Sequence, residues 1–203
     1  MIDYLAAEDV RLYALVAGGV VLLLFLWVIW RRRRGRAPTV GEVVRRISFD
    51  YLSHIILPNA DEGEIHLDHL LLTAEGLLII DVKNVEGIVF GSDKMQEWTV
   101  IGRDRRYTFS NPQPGMFDRI AAVRQVVRDV PVTGRILFLD GADFKKGVPD
   151  LVCSLDELLD EFGEASDQAA NAKIDAFKPH WERIRERARP AEARRSRRRA
   201  VAV

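Results

Sequence analysis

The chain has 203 residues, enough for one domain with extensions and too few for two independent enzyme domains. A hydrophobic content of 48% with 8 Pro and 14 Gly excludes a globally disordered or fibrous protein, and the single cysteine, Cys153, excludes an intrachain disulfide or a cysteine-cluster metal site. The formal net charge of zero hides an uneven distribution: −2 over residues 1–11, none over 12–30, +5 over 31–36, −10 over 37–182 and +7 over 183–203.

Residues 12–30, LYALVAGGVVLLLFLWVIW, form an uncharged run of 19, long enough as a helix to cross the hydrocarbon core. An acidic front, Trp27 and Trp30 at the far end and the Arg31–Arg34 cluster behind them favour a retained anchor over a cleaved signal peptide. The Lys/Arg bias then leaves residues 1–11 outside and places the chain beyond the basic linker, 31–38, in the cytoplasm as a single-pass protein.

The next segment, 39–182, reads as one domain. Thr39 with Glu42 three residues on is a capping-box pattern for a short first helix. Three β-type runs follow, at 53–57, 64–73 and 76–83; the last two carry Leu and Ile on both parities, as strands buried on both faces do. Shorter strands at 87–90, 98–101 and 107–110 close a meander, and the 3.6-residue period of Phe117, Ile120, Ala121, Val123 and Val127 predicts a helix over 116–129. A buried strand at 135–139, parallel to a neighbour through that helix, and a strand near 150–153 come next. A helix capped by Ser154 with Glu157 and a last helix from about 168 complete an α/β (α+β) fold. The Arg-rich segment 183–203, broken by Pro190, reads as a basic, frayed tail suited to anionic lipid or, as an alternative, to nucleic-acid phosphates.

The chemistry-bearing pattern lies on the strands at 64–73 and 76–83. With a four-residue connection over 73–76, cross-strand partners sum to 149; Asp68 then faces Asp81, and His66 and Lys83 share that face. A three-residue loop with a bulge shifts the sum to 150 and puts the aspartates on opposite faces. Two facing carboxylates need a compensating cation, and their hard oxygens suit Mg²⁺ or Mn²⁺. A lysine beside such an ion can position a water and stabilise charge on a phosphate.

The run EIHLDHLLLTAEGLLIIDVKNVEGIVFGS over 64–92, followed by Trp98 and by Phe109-Ser110-Asn111-Pro112, resembles the NERD (nuclease-related) domain of the PD-(D/E)XK nuclease superfamily. The resemblance implies a restriction-endonuclease-like mixed β-sheet core flanked by helices. It also implies Asp68 and Asp81 as metal ligands, Lys83 as the water- and phosphate-positioning base and Glu42 as a helper on the first helix. The expected function is metal-dependent hydrolysis of DNA or RNA at the bilayer; the alternative is a non-catalytic module of this type that binds nucleic acid or a protein partner. His66 and His69, three apart on a strand, fall on opposite faces and do not make a zinc pair. Cys153 and Trp98 read as core residues.

Overall fold

The computed structural model describes Trp27 and residues 38–58, 63–163 and 168–191. The chain divides into two units, Met1–Thr39 and Val40–Val203. In the first, Trp27 is helical and exposed; the rest of the predicted span 12–30 lies outside the described residues, among which no helix is long and apolar enough to cross a membrane.

The second unit is mixed α/β. Helix α1 (Val40–Ile47) precedes β1 (Asp50–Pro58), β2 (Glu64–Thr73) and β3 (Gly76–Lys83). After these come β4 (Gly87–Phe90), β5 (Glu97–Ile101), β6 (Arg106–Ser110), α2 (Pro112–Val126), β7 (Val132–Phe138), β8 (Ala142–Phe144) and β9 (Val152–Cys153). Helices α3 (Leu155–Phe162) and α4 (Gln168–Arg187) and a two-residue strand, β10 (Arg189–Pro190), finish the unit. The main sheet has the order β10-β1-β2-β3-β7-β9, with β3, β7 and β9 parallel and the other pairs antiparallel.

The strands at 87–90, 97–101 and 106–110 do not extend the main sheet as one meander. They form a second sheet, β6-β5-β4-β8, to which the three-residue β8 adds in parallel. Trp98, fully buried, ties this sheet to the first through ring contacts with Phe109, Phe138 and Phe144, and its Nε1 donates to the Ser92 carbonyl. Helix α2 starts four residues before the predicted position, because Pro112 suits the first helical turn and the Asn111 side chain accepts from the Gln113 N–H. The predicted box is present at α3, where Ser154 and Glu157 bond reciprocally. The segment read as a tail from Arg183 instead continues α4 to Arg187 and then pairs Arg189 and Pro190 with β1; residues 192–203 lie outside the described set. Trp181 explains the docking: fully buried, it donates from Nε1 to Asp50, which also receives Arg185.

The main sheet is covered on both faces. One core contains Leu70, Leu72, Leu77 and Ile79 with Met116, Ile120 and Val123 of α2; the other contains Leu71, Leu78 and Ile80 with Val43, Val44 and Ile47 of α1 and Leu158 of α3. Leu67 belongs to the same core as Leu70, so the alternation of β2 is broken between them. The break coincides with a gap in the β1–β2 ladder at His54 and Asp68, where His54 adopts φ 51°.

Candidate active site

The β2–β3 hairpin has the register summing to 149: Thr73 faces Gly76, Leu71 faces Leu78 and His69 faces Ile80. Gly76 makes the turn possible, having φ +126° and so little space that a Cβ would come 2.3 Å from the Pro131 carbonyl oxygen. Backbone pairing of β2 with β3 ends at His69 and Ile80, while β3 continues beside β7 to Lys83. At the parting point the Val82 N–H donates to the Asp68 carboxyl at 3.1 Å, so a side chain takes the place of a ladder carbonyl.

That substitution brings the predicted residues together. The Asp68 carboxyl is a close neighbour of that of Asp81, and Lys83 Nζ sits 3.0 Å from Asp81 Oδ1 and 2.9 Å from Oδ2. Asp81 is only 5% exposed. Its carboxyl is held above the ordinary carboxylate value, chiefly by burial and then by the neighbouring Asp68 carboxyl, which outweigh the opposing pull of Lys83 and Arg119. Glu42 is exposed in the first turn of α1, the helix over the opposite face of the sheet. Among the described residues no three His, Cys, Asp or Glu side chains are grouped to hold a metal. The oxygens of Asp68 and Asp81 suit Mg²⁺ or Mn²⁺, which take one or two carboxylates and complete their shell with water and phosphate.

Arg119 of α2 is a site residue that the sequence pattern did not single out. Its Nε donates to the His66 carbonyl at 3.0 Å and its Nη1 lies 3.8 Å from Asp81 Oδ2. The helical period marks Arg119 only as off the apolar stripe. His66 itself is exposed, and its place opposite Lys83 lies beyond the end of the β2–β3 ladder. His69 faces another direction, bonded through Nδ1 to Ser53 Oγ at 2.8 Å, with its ring 5.7 Å from that of His54. Cys153 is buried, and burial pushes its thiol up to about 12, unfit for a nucleophile.

Among known proteins, the chain is 26% identical over 78 residues to an uncharacterized protein of Bacillus anthracis, a match covering 38% of this chain and 37% of that relative. No solved structure matches. Residues 40–139, from the start of α1 to one residue past β7, match the model of the nuclease-related domain, NERD.

Proposed function

We propose that the protein is a nuclease-type phosphodiesterase, anchored in a membrane by residues 12–30 with its domain on the cytoplasmic side, that hydrolyses DNA or RNA with Mg²⁺ or Mn²⁺. The observation that carries this reading is the meeting of Asp68, Asp81 and Lys83 where β2 and β3 part, within the segment that matches the nuclease-related domain. Asp68 and Asp81 would hold the cation, which when bound supplies Lewis acidity toward water and phosphate. Asp81 fixes the Lys83 amine through two contacts, and Lys83 orients the attacking water and donates to the phosphate as charge develops. Hydrolysis joins the water oxygen to phosphorus and breaks one P–O ester bond, leaving a terminal phosphate and a hydroxyl.

The test is cleavage of labelled single- and double-stranded DNA and RNA by the full chain in Mg²⁺ or Mn²⁺, beside Lys83→Ala and Asp81→Asn. Metal-dependent cleavage that falls by about 10²-fold or more in both variants is the expected result. The second reading is a module that binds nucleic acid or a protein partner without cutting. A folded protein that cuts none of the four substrates would overturn the first reading and leave the second.

A further inference from the structure

Two cations face Asp81, and their settings differ. Lys83 lies within hydrogen-bond distance of both carboxyl oxygens. Arg119 lies at 3.8 Å, close enough for attraction but too far for a hydrogen bond, and its side chain keeps 26% exposure. One of its five N–H donors, that on Nε, is given to the His66 carbonyl, which fixes the plane of the guanidinium. Four residues earlier, a Cβ at Gly115 would come 3.1 Å from Nη1, so the guanidinium lies close along the start of α2.

We propose that Arg119 binds a non-bridging phosphate oxygen of the substrate beside the Asp68–Asp81 pair. This inference rests on the nuclease reading above. A polyanion approaching two carboxyl groups meets like charge, and Lys83 is already tied to Asp81. A planar guanidinium with donors left over presents the fork that phosphate accepts, which an ammonium does not.

The experiment measures binding of a fluorescent single-stranded DNA dodecamer by the full chain in Ca²⁺ across a salt series, and kcat and KM for cleavage in Mg²⁺. Arg119→Met should weaken binding about tenfold, raise KM and lower the slope of log affinity against log salt by about 1. Arg119→Lys should keep the slope and lose part of the affinity. Arg119→Gln, which also removes the charge, should weaken binding in the same direction and gives an independent reading if Arg119→Met does not fold. A wild-type chain that cleaves while Arg119→Met keeps its slope and KM would overturn this inference alone, as would a fall in kcat in Arg119→Met with the slope intact. A wild-type chain that neither binds nor cleaves nucleic acid would overturn the nuclease reading with it.

Discussion

At the closed end of the β2–β3 hairpin, Leu70, Leu71 and Leu72 lie opposite Ile79, Leu78 and Leu77, all at 2% exposure or less, and the strands exchange their backbone bonds in register to Thr73 and Gly76. At the open end of the same strands, Asp68 and Asp81 meet, a side chain completes the ladder, and β3 leaves β2 to follow β7. Apolar burial stabilises the first end at about 25 cal/mol per Å². The second carries a buried carboxyl whose ionisation the fold opposes. The difference shows where stability is made and where it is given up to hold a buried carboxyl beside a second acid.

The largest effect on stability belongs to the closed end. Leu78 is fully buried between α1 and the sheet, and Leu78→Ala should destabilise by about 2–5 kcal/mol, read as a lower urea midpoint. A loss below about 1 kcal/mol would show that the hairpin is not the anchor of the fold.

At the open end the sign should reverse. Asp68→Asn keeps an oxygen for the Val82 N–H and removes a like-charged neighbour of Asp81, so the variant should gain about 1 kcal/mol at neutral pH while losing Mg²⁺-dependent stabilisation. Because the Asp81 carboxyl is raised in the fold, ionisation works against folding: stability is fully present below the ordinary carboxylate range and falls as pH rises through the raised value. The fall should be shallower in Asp68→Asn. Thermal melts from pH 3 to 7, with and without Mg²⁺, check both statements, and a variant less stable than wild type at pH 7 would break the contrast.

How much of this was legible follows the same division. The bounds 64–73, 76–83 and 87–90 are the strands observed, because turn residues punctuate them and dense Leu and Ile runs fill them. Of the two registers the hairpin left open, summing to 149 or 150, the first is the one observed from Thr73–Gly76 to His69–Ile80. Arg119 was not legible, because its contact with Asp81 depends on how α2 lies over the sheet and leaves no local period. The second sheet was missed for a similar reason: short half-buried strands declare their alternation but not their partners, and β8 has only three residues. The order of 183–191 was hidden by its arginines, whose charge masked the apolar anchors Trp181 and Ile184.

Cys153 sharpens the contrast from a third place, the inner edge of β9. A thiol pushed up to about 12 is almost wholly protonated at pH 8, so alkylation of the folded chain by iodoacetamide should run about 10³-fold slower than that of a free thiol, and unfolding in urea should restore the ordinary rate. Rapid labelling of the folded chain would mean that the β7–β9 edge opens readily.

The smallest expected effect has the opposite sign to that of Asp81. Asp93 accepts from Gln113 Nε2 and from the Asp150 N–H, both at 2.8 Å, and these bonds hold its carboxyl below the ordinary value. A lowered carboxyl contributes stability that is present above the unfolded-state value and is lost as pH falls through the lowered one. Acid should therefore loosen the 91–96 loop and the start of α2 under conditions that relax the strain at Asp81. Asp93→Asn should flatten the acid limb of the melting profile while leaving the neutral limb to Asp81; an unchanged acid limb would locate the acid sensitivity elsewhere. Both limbs in one profile would follow from two carboxyl groups treated oppositely: one supplied with donors in the open, the other buried against a second acid where the strands part.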